Sequence, residues 1–219
     1  MRRTVAAALA AASSLIVLIP SYSQAVPAPA QGKHDAATRP YLDDVVGKEK
    51  RQGFAAEANK WPTAHLTWKL DHYSSRSDLR GKRTEVENAL AKAMNTWAKA
   101  SKLRFTRTTG SKANIKIGFY TGAHGDNAAF DGKGGVLAHA YEPQWGMLHF
   151  DDREPWSTTV QSGRTNLTSV AVHELGHVLG LSHSADRKSI MYPYYMGPKA
   201  TLGQEDIQRI QALYGAPGR

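Results

Sequence analysis

No cysteine occurs anywhere in the 219 residues. Disulfides are therefore excluded, and any stability outside a cell has to come from a packed core and from bound ligands. Attachment to a membrane through a lipidated thiol is excluded as well. Also missing is an apolar run long enough to cross a bilayer. The longest, from about Val5 to Ile19, falls short of the roughly 18 residues that a span needs. Arg2 and Arg3 precede it and Ser23-Gln24-Ala25 follows, with small residues at the two positions that signal peptidases read. Residues 1–25 thus predict an export signal cut near Ala25, and a secreted, extracellular protein with no membrane span. There is no internal repeat and no known nucleic-acid-binding motif. The net charge is +9, or +7 once Arg2 and Arg3 are removed. Basic residues are spread along the chain, with a local group at Arg76, Arg80, Lys82 and Arg83. Such charge can hold an exported protein near acidic glycans or nucleic acid. Its dispersal reads more simply as a solvated surface, and no specific nucleic-acid partner is expected.

What is present falls into two unequal stretches. Residues 26–53 are rich in proline, alanine and charge with little apolar periodicity, which predicts a short leader or propeptide. Lys48-Glu49-Lys50-Arg51 within it is a plausible processing point. From Phe54 the pattern becomes regular, and 54–219 reads as one domain. HLTWKL (65–70) alternates as a half-buried strand does, and 102–107, 114–120, 136–141 and 147–151 read as four further strands. Thr84 with Glu87 matches a capping box, followed by Val86, Leu90, Ala93 and Trp97 at helical spacing. A second helix is predicted from about Leu167 to Leu179, stopped by Gly180, and a third over Gln204–Tyr214. Strands mixed with three helices give an α/β (α+β) single domain.

The densest chemistry lies in VAVHELGHVLGLSHS (170–184). On a helix, positions four apart share a face, so His173 and His177 present two nitrogens to one point. Gly180 tolerates the left-handed conformation that ends a helix, which lets the chain bend and bring His183 up as a third ligand. Three neutral nitrogens suit zinc with its fourth position left to water, the arrangement of reactive rather than structural sites. Glu174 directly follows the first ligand and flanks that position. Zinc lowers the pKa of the water and Glu174 can accept its proton. In chains of this composition, H-E-x-x-H-x-x-G-x-x-H arises by chance in roughly five of 100,000. The pattern is that of the metzincin metallopeptidases, and Met191 in SIMYPYY stands at a suitable distance for the methionine turn beneath the zinc.

A second constellation runs from His124 to Glu154. His124, Asp126, His139 and His149 would supply four ligands and close a tetrahedron, leaving no room for substrate. Asp131 with the flexible backbone of Gly132–Gly135, together with Asp151 and Glu154, makes an all-oxygen set suited to calcium. Acidic, glycine-rich loops are often only solvent-exposed, so spacing leaves both readings open.

The order W-x(6)-W, HGD, FDGxGGxLAHAY, HFD, HExxHxxGxxH, MYPxY and D-I-x-x-I-Q-x-L-Y-G closely resembles the catalytic domain of the matrixins, the matrix metalloproteinase family. The resemblance covers about Phe54 to Gly215. It implies a five-stranded, mixed, mostly parallel twisted sheet with three helices, and an enzyme that hydrolyses peptide bonds in extended protein or peptide substrates. It further implies a catalytic zinc on His173, His177 and His183, and a structural zinc on His124, Asp126, His139 and His149. At least one calcium is implied on Asp131, Gly132, Gly134, Val136, Asp151 and Glu154, the glycines and valine through backbone oxygen. Substrate would pair with an edge strand at Val136–Tyr141. Pro193, Tyr194 and Tyr195 would wall the pocket for the side chain after the cut bond. Ser169, where many relatives carry a larger side chain, would widen that pocket or make it more polar.

Other features depart from the family. Many matrixins keep a cysteine in the propeptide to cap the zinc, which is impossible here; Asp43 or Asp44 could cap it instead. Between His139 and His149 the chain is short, and Asp78 and Asp152 are the candidates left for any further calcium. No hemopexin-like domain is expected to follow, and a monomer is expected. Asn166-Leu167-Thr168 matches a glycosylation acceptor but falls at a helix start. A metal-stabilised binding module that kept the fold and lost activity is the competing reading. Such modules usually lose the glutamate or a histidine, and both are present.

Overall fold

The computed structural model describes residues 39–40 and 60–218. The export signal at 1–25, Asp43, Asp44, the 48–51 run and Phe54 lie outside the described residues. The elements in chain order are β1 (Arg39–Pro40), β2 (His65–His72), α1 (Arg83–Ala100), β3 (Arg104–Arg107), β4 (Ile115–Tyr120), β5 (Ala138–Ala140), β6 (Met147–Asp151), β7 (Trp156–Ser157), β8 (Thr165–Asn166), α2 (Leu167–Val178), β9 (Tyr194–Tyr195) and α3 (Gln204–Tyr214). Five strands form one sheet in the order β3-β2-β4-β6-β5. β2 runs parallel to β3 and β4, β4 runs parallel to β6, and only β5 is antiparallel, paired His139 to His149 on β6. This is the mixed, mostly parallel sheet with three helices that the sequence predicts. No helix among the described residues is long and apolar enough to cross a membrane.

The alternation in β2 buries Leu66, Trp68 and Leu70, while β4 buries Ile115, Ile117 and Phe119. These strands, the apolar face of α1 and the whole of α2 share one core. Trp97 of α1 is wholly buried, and its indole nitrogen donates to the carbonyl of Val172 on α2 at 2.9 Å. That bond fixes the two helices at a defined depth, because a buried indole N–H has to find an acceptor. Trp61 makes a similar tie at the C-terminal end of α2, its Nε1 donating to Val178 O at 2.9 Å.

The predicted capping box at Thr84 and Glu87 does not form. α1 starts two residues earlier than that box requires, at Arg83, and its N-cap, Lys82, makes no side-chain capping bond. Glu87 is buried and accepts from Arg83 at 3.0 Å and from Arg107 on β3 at 2.7 Å. A buried carboxylate gains more from two guanidinium groups than from one frayed amide, so the ion pairs win. The glycosylation match at Asn166 is a helix cap instead: its Oδ1 accepts from the Ser169 amide and hydroxyl, each at 3.0 Å, and its Nδ2 donates to Thr159 O at 3.2 Å. Both β1 and β9 were invisible to periodicity, since a two-residue strand has none.

Trp97 is the largest wholly buried side chain shared by α1 and α2. Trp97→Ala should cost about 3–5 kcal/mol, read as a lower midpoint in denaturant unfolding. An unchanged midpoint would show that the α1–α2 contact does not carry the core.

Candidate functional site

α2 delivers the first cluster. His173 and His177 stand one turn apart on a helix whose every residue is buried. Gly180, at φ +98°, ends it, with Gly180 N donating to His177 O at 2.8 Å and Leu181 N donating to Gly176 O at 2.9 Å. A residue with a side chain resists this left-handed backbone, so glycine sets the reversal. The reversal has two effects. It places Leu181 O 2.7 Å from His177 Nδ1, and it carries the chain back to His183. A later turn places Ile190 O 2.7 Å from His173 Nδ1. A carbonyl only accepts, so both Nδ1 atoms carry the ring proton and both Nε2 atoms carry a lone pair.

Those two Nε2 atoms lie 3.2 Å apart. With no proton to share, two lone pairs at that spacing repel, and a cation between them turns repulsion into bonding. Ligands of a tetrahedral zinc at about 2.0–2.1 Å stand about 3.3 Å from one another, so the spacing fits that ion. A nitrogen of His183 joins them, all three ligand atoms lying within 4.8 Å of each other. His183 is exposed, which leaves one side of the cluster open to solvent. Glu174, wholly buried, is the next residue on the helix. Met191 lies directly beneath. A Cβ on Gly176 would sit 2.2 Å from its sulfur and 3.1 Å from Trp97, so only glycine lets the turn approach.

The second cluster is more enclosed. Asp126 Oδ2 lies 2.8 Å from His124 Nε2, 2.8 Å from His139 Nε2 and 2.7 Å from His149 Nδ1. The last of these nitrogens is 3.2 Å from each of the other two. These are again the edges of a tetrahedron of zinc size. The register of β5 on β6 sets His139 opposite His149, and Gly122 O fixes the His124 tautomer at 2.8 Å. Around them the rings of Tyr120, His124, Phe130 and His139 stack in sequence, 4.7–5.0 Å between neighbours. Burial, reinforced by the charge of His139, pushes His149 down to about 4, so its ring is neutral and ready to bind. Burial works to raise Asp126, but the bonds from His139 and the Ala128 amide prevail and hold it well below the usual carboxylate range.

The third set is arranged differently from the expected calcium shell. Asp151 Oδ2 accepts from Gly132 N at 3.1 Å, Glu154 accepts from Gly134 N, and Asp131 Oδ1 accepts from Val136 N at 2.9 Å. The loop thus offers its amides to the carboxylates. Gly132 and Gly134, at φ +92° and +97°, permit the winding. Burial first, then the neighbouring charge of Asp131, raises the Asp151 carboxyl. A divalent cation would relieve that load, and the donors present are all hard oxygens.

The candidates for any further calcium have protein partners instead. Asp78 accepts from Arg76 through both oxygens, at 2.9 and 3.0 Å, and from Arg164 at 2.6 Å. Asp152 accepts from Ser74 Oγ, and from the Ser75 amide and hydroxyl at 2.8 and 2.7 Å. Both carboxylates are occupied by donors that the spacing of acidic residues could not reveal. Ser169 is buried with its hydroxyl on Asn166, and the Tyr195 hydroxyl accepts from Asn166 N at 3.0 Å, so β9 is tied to the start of α2. Pro193 and Tyr194 are half-buried. On β9, Tyr194–Tyr195 pairs antiparallel with β1, Tyr194 to Pro40 and Tyr195 to Arg39.

Residues 60–215 match the family described as matrixin. Macrophage metalloelastase of Oryctolagus cuniculus is 45% identical over 163 residues, 72% of this chain and 34% of that protein. Stromelysin-1 of Mus musculus is 44% identical over 165 residues, 72% of this chain and 33% of its own length. Neutrophil collagenase of Homo sapiens is 43% identical over 162 residues, with 71% and 33% covered. The chain spans about a third of the length of these relatives.

Acid should loosen the second cluster. His149 titrates near 4 when folded against an ordinary 6.5, so between those values the unfolded chain binds a proton that the folded chain refuses. Stability is then full above about 6.5 and falls as the pH drops towards 4. Thermal melts of metal-stripped protein across this range should show the decline, and His149→Gln should flatten it. A wild-type profile that is already flat would contradict the assignment.

Proposed function

The chain belongs to the matrixin family, and from that premise we propose that it is a secreted zinc-dependent endopeptidase acting on extended segments of other proteins. The observation that carries this reading is the pair of converging Nε2 lone pairs on His173 and His177, 3.2 Å apart. His183 closes the set from an exposed position, and Glu174 stands beside it. His173, His177 and His183 would hold zinc, which would supply a Lewis acid able to acidify water and polarise a carbonyl. Glu174 takes the proton of the attacking water and hands it to the departing amine, a role suited to a carboxylate buried beside the reacting atoms. His124, Asp126, His139 and His149 would hold a second, structural zinc, and Asp131, Asp151 and Glu154 with their loop would hold a calcium.

Substrate binds by strand addition. Among the described residues β5 ends the sheet, with β6 on one side, and an extended peptide laid on its other edge gains backbone hydrogen bonds independent of sequence. Pro193, Tyr194 and Tyr195 wall the pocket for the side chain after the cut bond. Ser169 lies at its base, though its hydroxyl is engaged by Asn166. Residues 1–25 direct export, and 26–53 act as a short propeptide. The support for the latter is β1, which pairs with β9, the strand that carries two of the proposed wall residues. Asp43 or Asp44, a few residues on, caps the metal until the leader is cut. The working protein is a monomer.

Glu174→Ala tests the chemistry. Cleavage of an unstructured peptide library should fall by about 10²–10⁴-fold, with two zinc ions per chain retained. A chain lacking residues 1–53 should cut faster than one starting at Val26. If wild type and variant are equally inert with both zincs bound, the protein is a metal-stabilised binding module and the enzyme reading fails.

A further inference from the structure

The turn beneath the first cluster holds a continuous run of hydrogen bonds that ends on a buried charge. His173 Nδ1 donates to Ile190 O at 2.7 Å. That carbonyl shares its peptide group with the Met191 amide, which donates to Ser189 Oγ at 2.9 Å. The Ser189 hydroxyl in turn donates to Asp206 Oδ1. Asp206 Oδ2 accepts from Ile190 N at 2.7 Å and from Gly203 N at 2.6 Å. Every partner of Asp206 is a donor, as a carboxylate requires. It is wholly buried in the first turn of α3, where a negative charge meets the positive end of the helix dipole.

Hydrogen bonds in such a run polarise one another in a low-dielectric interior. Electron density pushed from Asp206 through Ser189 into the Ile190–Met191 peptide makes the Ile190 carbonyl a stronger acceptor. A stronger acceptor on Nδ1–H makes Nε2 of the same ring a better donor. Metal-binding histidines commonly meet a carboxylate directly on the far nitrogen. Here the carboxylate is one serine and one peptide removed.

We propose that Asp206 and Ser189 form a positioning unit that acts through the Ile190–Met191 peptide to orient His173 and raise its affinity for metal. The inference rests on the zinc reading given above. It assigns α3 a part in the site through the turn that carries Ile190.

Zinc competition with a chromogenic chelator tests it on the full chain, alongside the visible spectrum of the cobalt-substituted protein. Ser189→Ala removes the bridge yet leaves Ile190 N and Gly203 N on Asp206, so the fold persists. It should weaken one of the two zincs by about tenfold and shift the cobalt spectrum, and Ser189→Thr should restore both. Asp206→Asn should weaken the same zinc by about 10–100-fold. The other zinc, identified as the one lost in a separate His149→Gln variant, should keep its affinity in all three variants. If Ser189→Ala and Asp206→Asn lower the melting temperature but leave zinc affinity and cobalt spectrum unchanged, the unit is purely structural and the proposal is overturned. A His173→Ala variant with unaltered zinc content would instead sink the zinc reading itself, so the two failures are distinguishable.

Discussion

Two imidazole lone pairs face each other 3.2 Å apart in the interior, an arrangement that no apolar packing would choose. Each ring is turned that way by a backbone carbonyl on its other nitrogen, Ile190 O for one and Leu181 O for the other. Much of the surrounding structure serves those two carbonyls. Gly180 makes the reversal that delivers Leu181, Gly176 admits the Met191 turn that delivers Ile190, and Trp97 holds α2 at the depth where both can reach. The fold thereby brings two ring nitrogens to a spacing that suits a cation between them.

The second cluster solves the same problem with a different frame. There the ligands come from a loop and two strands rather than a helix, and the antiparallel step from β5 to β6 supplies the alignment. Since β5 is also the strand on which substrate is proposed to lie, a metal that steadies its pairing with β6 steadies the floor of the groove. With a metal held there, a chain without a disulfide would keep a short, three-residue strand in register. Loss of that metal would reach the groove through the backbone, with no substrate contact altered.

Local regularities were legible in the sequence. The i, i+4 histidines, the glycine stop, the alternation in β2 and the limits of α3 all depend on neighbours a few residues away, and the structure follows them. Contacts that join distant segments were not. Glu87 reads as a cap partner because Thr84 is three residues before it, but Arg107 arrives from twenty residues away and takes it. Asp206 sits inside the terminal D-I-x-x-I-Q motif, yet nothing in that spacing shows a serine seventeen residues upstream bound to it. The β1–β9 pair was equally hidden, being two residues long at each side. Candidate ligands were easy to nominate for a similar reason: residue type and spacing are local, whereas the carbonyls that set each ring are not.

Asp78 carries the clearest departure from a metal-built scaffold. Burial works to raise its carboxyl, but Arg76 and Arg164 together hold it below the ordinary range. The same guanidinium groups reach Arg153 O and Trp156 O, so three segments meet at one acidic centre. A calcium ion in that role would come and go with the surrounding medium. A guanidinium group is bonded to the chain and never deprotonates at working pH. One corner of the molecule is therefore braced by counter-ions that dilution and sequestering agents leave in place.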